Sequence, residues 1–99
     1  MKSISSEEAL KLVKSGKVLV LDVRTPQENA HSRIKGAVLI PLHELEARIR
    51  EVPKGRPILV YCHAGNRSLM ASRILESHGF SDVLNLESGI IDCPGECLE

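Results

Sequence analysis

Two apolar runs constrain this chain to one class of fold. Residues 17–23, KVLVLDV, and Ile58–Tyr61, ILVY, are rich in Val, Leu and Ile and lack the alternation of apolar with polar residues. A strand with one face in water alternates. A strand apolar throughout is covered on both faces, the condition of a parallel sheet between layers of helix. The segments between the runs supply those helices. Ser5 followed three residues on by Glu8 is a capping-box pattern, Ala9, Leu10 and Val13 recur at helical spacing, and Gly16 ends the first helix. Thr25-Pro26 breaks the first run, and residues 27–31 suit a short helix.

GAVLIP, residues 36–41, reads as a short strand ended by Pro41. Leu42, Leu45 and Ile49 mark one face of a helix that stops before Pro53, and PKGRP is turn chemistry. From Ser68 the pattern is helical, with Met70, Ala71, Ile74 and Leu75 expected to face inward. Gly79 stands where a left-handed cap belongs, followed by Phe80. DVLNL, residues 82–86, is a further strand, and a turn or short helix at 88–91 closes the pattern. The 99 residues suit a single α/β domain, 1–99, with 94–99 a candidate flexible tail.

With 42% apolar but only 2% aromatic residues, the core must be aliphatic. Thirteen basic and thirteen acidic residues cancel without forming a block of like charge, which argues against a nucleic-acid or membrane-surface binder. No apolar run approaches the roughly 18–20 residues that span a bilayer, and the opening MKSISSEEAL lacks the apolar centre of a signal peptide. Three cysteines leave one unpaired in a monomer, so a reducing, cytoplasmic setting is expected instead of a disulfide framework.

Parallel strands place their carboxyl ends at one edge of the sheet, where ligands of such folds bind. Two strands bring chemistry there: VLDVR leads to Asp22 and Arg24, and ILVY leads to Cys62. After Cys62 come His63, Ala64, Gly65, Asn66, Arg67 and Ser68, and then the helix. Gly65 and Asn66 tolerate positive φ, so a tight bend there turns N–H groups inward as an anion nest. Ser68 is expected to cap the helix, whose N-terminus adds positive potential, and Arg67 adds a fixed charge. Such surroundings depress cysteine pKa values to roughly 3.5–7.5 and make the thiol a nucleophile. A lone cysteine at a strand end is more often inert packing; the whole set at one strand-to-helix junction favours catalysis.

These segments resemble the rhodanese family. CHAGNRS is similar to its Cys-x-x-Gly-x-Arg-Ser loop, and VLDVRTPQE to its Asp-Val-Arg signature with a downstream glutamate. IKGAVLIPLHEL is similar to its Ile-x-Gly-Ala-x-x-Ile-Pro segment, and GFSDVLNLESGI to its Gly-Phe ending with a Gly-Gly-Ile terminus. The resemblance implies a rhodanese-like three-layer sandwich, with a mostly parallel central sheet of about five strands and helices on both faces. It implies a sulfurtransferase in which Cys62 takes sulfane sulfur from thiosulfate or a related donor, holds it as a persulfide and passes it to cyanide or a thiol. Residues His63 to Ser68 would hold the donor and persulfide through backbone N–H groups, with Arg67 steering the donor. Asp22, Arg24 and Glu28 would form a buried network that fixes the loops. No cofactor and no metal are implied; a carrier or redox protein is a possible partner.

The chain departs from the family pattern at several points. Asn29 stands where an aromatic is usual, SRIK at 32–35 replaces a Gly-His-Ile-Pro run and puts Arg33 in place of the histidine, and Ser88 replaces the first of two glycines. DCPGEC, residues 92–97, replaces a tryptophan-bearing ending, and its Cys93 and Cys97 are open to three readings: a redox pair, a resolving thiol for Cys62, or incidental cysteines. The histidines show no ligand spacing with these cysteines; His63 borders the nucleophile, His43 suits a helix surface and His78 a helix end. Cysteine-dependent phosphatases and arsenate reductases place one more residue between cysteine and arginine than the four here, and the tighter ring suits sulfur better than phosphate. A non-catalytic binding or sensing module is the other alternative.

Overall fold

The computed structural model describes residues 1–99. Five strands form one parallel sheet in the order β1-β5-β4-β2-β3: β1 Lys2–Ile4, β2 Leu19–Asp22, β3 Val38–Leu39, β4 Ile58–Tyr61 and β5 Val83–Leu86. The helices are α1 Ser6–Ser15, α2 Pro26–His31, α3 Leu42–Leu45 and α4 Asn66–Ser77, with 3-10 turns at Ile49–Glu51, Ile90–Asp92 and Gly95–Cys97. Strand β1 has no counterpart in the sequence reading. Lys2, Ser3 and Ile4 form no apolar run, and only Ile4 is buried as the strand pairs with β5.

Alternation along each strand divides the core in two. Leu19, Leu21, Val23, Ile58, Val60 and Cys62 pack with Leu45, Ala71 and Leu75 of α3 and α4. Val20, Leu59, Tyr61 and Leu86 pack on the other side with Ala9, Leu12 and Val13 of α1. The N-cap Ser5 accepts from the Glu8 amide, and Gly16 (φ 69°) closes α1 as expected. Gly79 (φ 89°) closes α4, and Phe80 donates its N–H back to Leu75. Right-handed crossovers carry the chain outward in opposite directions from β2 and β4, which sends α2 and α4 to opposite faces. The loops after these adjacent strands therefore part at the carboxyl edge, where a crevice opens.

Three expectations change. Helix α4 starts at Asn66, so Ser68 lies inside its first turn and is not its cap; Gly65 takes the cap position. Its inward face is Ser68, Ala71, Ser72 and Leu75, while Met70 is 59% exposed. Small residues let the helix approach the sheet closely, a pattern hidden from a reading that follows apolar residues alone. The segment 94–99 is held against the domain. Lys35 donates to the Cys97 carbonyl, Glu99 donates to that of Arg33, and Leu98 bridges Ile34.

Truncating the fully buried Leu75 to alanine is expected to cost about 2–5 kcal/mol, against less than about 0.5 kcal/mol for Met70→Ala. Urea unfolding of both variants checks this assignment of the α4 face.

Candidate active site

The site is built on a buried carboxylate. Asp22 ends β2 directly opposite Tyr61 of β4 and is fully buried. Its Oδ1 accepts the backbone N–H of Arg24 at 2.9 Å and Nε of the same residue at 3.0 Å. Its Oδ2 accepts Arg24 Nη2 at 2.9 Å, the Tyr61 hydroxyl at 3.0 Å and Asn29 Nδ2 at 3.0 Å. Burial pushes the Tyr61 phenol above its ordinary range, so it stays a donor. The same hydroxyl accepts the Ile34 amide at 3.1 Å, and Arg24 Nη2 reaches the Ser32 carbonyl. Every lone pair that would otherwise be stranded is thereby occupied. The network fixes where the chain leaves β2 and, through Tyr61, where β4 delivers Cys62.

Cys62 is 1% exposed. At Gly65 (φ 104°) the loop turns back, and the Gly65 N–H donates to Cys62 Sγ at 3.0 Å. The thiol donates to Ser68 Oγ at 3.5 Å, and the Ser68 hydroxyl donates to the Gly65 carbonyl at 3.1 Å. On ionisation that hydroxyl has only to rotate to give the sulfur a second donor. Two effects compete at the sulfur. Burial raises the thiol pKa, but the Ser68 hydroxyl and the amides of Ser68, Gly65 and Ala64 outweigh it and hold the thiol below its ordinary value. All positive φ values in the chain belong to glycines, so Asn66 does not share the bend and begins the helix instead. His63, Ala64 and Asn66 are exposed at the rim.

Arg67 and Glu28 do not stand where the sequence reading put them. Arg67 is no free cation: Nη1 and Nη2 meet Glu28 Oε1 and Oε2 at 2.7 and 2.9 Å. Glu28 in turn takes no part in the Asp22–Arg24 network. It accepts the Thr25 amide at 3.1 Å and completes the capping box of α2. Thr25 to Glu28 carries that motif openly, so this signal was present in the sequence. Glu28 thus straps α2 to α4 over the carboxyl edge, while Arg67 still feels the charge of Cys62. The third partner of Asp22 is Asn29, one of the departures from the family pattern. Tyr61 and Asn29 are the supports that sequence reasoning missed. Val23, Arg24, Thr25, Pro41, Leu42, His43 and Arg67 line a cleft of about 350 Å³ beside the loop.

Cys93 and Cys97 lie elsewhere. Cys93 packs against the α1-side core, the opposite face of the sheet from Cys62, and Cys97 is fully buried. Burial and the neighbouring Cys97 thiol push Cys93 up to about 12. A resolving thiol for Cys62 is excluded by this placement, because the sheet stands between the sulfurs. Arg33 pairs with Glu99 at 2.7 Å and so secures the C-terminal segment.

The Arg67 guanidinium lowers Glu28 from 4.5 to about 2. A depressed carboxylate stabilises the fold fully above its unfolded pKa and loses that contribution as pH falls through the folded one. Both partners are about one-third exposed, so Glu28→Gln is expected to cost only about 0.5–1 kcal/mol at pH 7. The gap between wild type and variant, followed by urea unfolding, closes as pH falls from 4.5 towards about 2.

The model of the rhodanese-like domain family matches residues 5–92. A sulfurtransferase from Allochromatium vinosum is 43% identical over 74 residues, 75% of this chain and 69% of its own length. The thiosulfate sulfurtransferase GlpE from Pseudomonas putida is 39% identical over 88 residues, 89% of this chain and 80% of its own. The crystal structure of a rhodanese-like domain protein from Staphylococcus aureus superposes with a TM-score of 0.87 at 35% identity, covering 100% of this chain and 97% of that one. A family model matched over residues 5–92, with relatives alike in both sequence and topology, has a single explanation: the chain belongs to the rhodanese-like domain family.

Proposed function

We propose that this protein is a sulfurtransferase that carries sulfane sulfur on Cys62. The observation that carries the reading is the Gly65 N–H aimed at a buried sulfur from 3.0 Å, with the Ser68 hydroxyl, which accepts from the thiol at 3.5 Å, placed to turn and donate to the thiolate. The Cys62 thiolate attacks the outer sulfur of thiosulfate or a related donor. The S–S bond of the donor breaks, sulfite leaves with the electron pair, and Cys62 is left as a persulfide anion. Cyanide, or the thiolate of an acceptor, then attacks the terminal sulfur, departs as thiocyanate or a new persulfide, and returns Cys62 to the thiolate. Charge remains on sulfur throughout, so the same amides of Ala64, Gly65 and Ser68 serve both half-reactions.

Arg67 contributes positive potential from a fixed position, since Glu28 occupies both its terminal nitrogens. The network of Asp22, Arg24, Tyr61 and Asn29 supports the loop without touching the reacting atoms. Only four residues separate Cys62 from Arg67, a ring that favours a single sulfur over a tetrahedral phosphate. With Cys93 and Cys97 on the far side of the sheet, the acceptor must come from outside: a small thiol, cyanide, or a carrier or redox protein. A cytoplasmic, reducing setting fits three free cysteines.

Intact-protein mass spectrometry after thiosulfate treatment is expected to show a gain of one sulfur, absent in Cys62→Ser, and thiosulfate:cyanide kinetics should be ping-pong. A protein that never gains the sulfur is a binding module instead. Ser68→Ala removes one donor to the anion, at about 1.5–3 kcal/mol, and should slow Cys62 alkylation at pH 7 at least about tenfold. An unchanged rate would exclude Ser68 from stabilising the thiolate.

A further inference from the structure

The turn after β5, residues 87–91, lies against the back of the Cys62 loop and joins it by backbone alone. Ile90 donates its N–H to the Cys62 carbonyl at 3.0 Å, and Ile91 donates to the His63 carbonyl at 3.3 Å. Gly89 (φ 73°) immediately precedes them. A Cβ there would stand 2.1 Å from the His63 carbonyl oxygen, 2.5 Å from its carbon and 2.7 Å from the Ala64 nitrogen. These are backbone atoms, which cannot swing aside as a side chain can. From the other side Gly65 interlocks in the same way, since a Cβ on it would lie 2.4 Å from the Glu87 carbonyl oxygen.

We infer that Gly89 is a positioning residue for Cys62: its missing side chain lets the 87–91 turn hold the carbonyls of the loop outward, and that hold aims the loop amides at the sulfur. The link is the planarity of the peptide unit. The His63 carbonyl and the Ala64 N–H share one trans peptide, so they point in opposite directions. Tying that oxygen to Ile91 turns the Ala64 N–H towards Cys62. The Cys62 carbonyl, tied to Ile90, fixes the start of the same bend. The Ala64 and Gly65 amides are two of the groups that hold the thiol below its ordinary pKa. A side chain at 89 forces the two backbones apart and rotates these peptides away from the sulfur.

The test separates close approach from backbone strain. Gly16 (φ 69°) and Gly36 (φ 76°) also have positive φ, but a Cβ on either meets nothing within 4 Å. Gly89→Ala, Gly16→Ala and Gly36→Ala are compared by the pH dependence of Cys62 alkylation with iodoacetamide, mapped by peptide mass spectrometry, and by sulfur uptake from thiosulfate. For Gly89→Ala the alkylation midpoint is expected to rise and the uptake rate to fall at least about tenfold, as on losing one hydrogen bond to an ionised group. The two controls lose stability to strain yet keep the wild-type midpoint. A folded Gly89→Ala with the wild-type midpoint overturns the inference, as does an equal shift in the controls.

Should Gly89→Ala not fold, Ile91→Pro carries the test. It deletes the N–H to His63 near the start of a helical turn, where proline is tolerated, at a residue 61% exposed. A smaller rise of the midpoint is expected, and none overturns the inference. The inference rests on the sulfur-transfer reading only for the uptake measurement. A wild-type protein that takes up no sulfur would refute that reading, while the alkylation midpoint would still decide the role of Gly89.

Discussion

The rest of the site depends on one carboxylate kept out of water. Asp22 sits where β2 and β4 end side by side, and it gathers Arg24, Tyr61 and Asn29 from three segments. Burying such a pair brings little net stability, because the desolvation of both charges cancels most of their attraction. What it brings is geometry. An unpaired Asp22 or Arg24 in this environment would cost several kcal/mol, so arrangements that break the pair are strongly disfavoured. The loop bearing Cys62 is therefore delivered from a fixed strand end.

At the sulfur itself burial and hydrogen bonding are more closely balanced. Burial alone would leave Cys62 a neutral, unreactive thiol, as it does Cys93 on the far side of the sheet. The difference between the two cysteines lies in hydrogen bonding. Cys62 has amides directed at it and beside it a hydroxyl that can turn to donate, while the side chain affecting Cys93 is another thiol, which opposes ionisation. Two sulfurs withdrawn from water in one small protein, Cys62 buried and Cys93 partly so, thus take opposite directions for reasons visible in their first neighbours.

The layout of the fold was legible because it rests on periodicity and punctuation. The unalternating runs gave β2 and β4, Ser5 and Gly16 bounded α1, and Gly79 with Phe80 closed α4. What the sequence concealed is of another kind. Strand β1 is an edge of three residues, defined by its neighbour β5 and not by its own composition. Ser68 and Ser72 face the core because helix and sheet come close, while Met70, more apolar than either, points to solvent. The identity of the site residues could be read from CHAGNRS, but their partners could not. Nothing local tells that Arg67 is taken by Glu28, 39 positions earlier, or that Gly89 is small for the sake of His63. Long-range contacts of this sort are properties of the packed chain.

Helix α2 has no buried residue. Its attachment is polar: a capping box at its start, Asn29 on Asp22, and Glu28 on Arg67. The two aliphatic cores beneath it are indifferent to ionic strength, whereas a partly exposed ion pair is screened by it. Added salt therefore loosens the rim where α2 meets α4 and leaves the packing of both layers untouched.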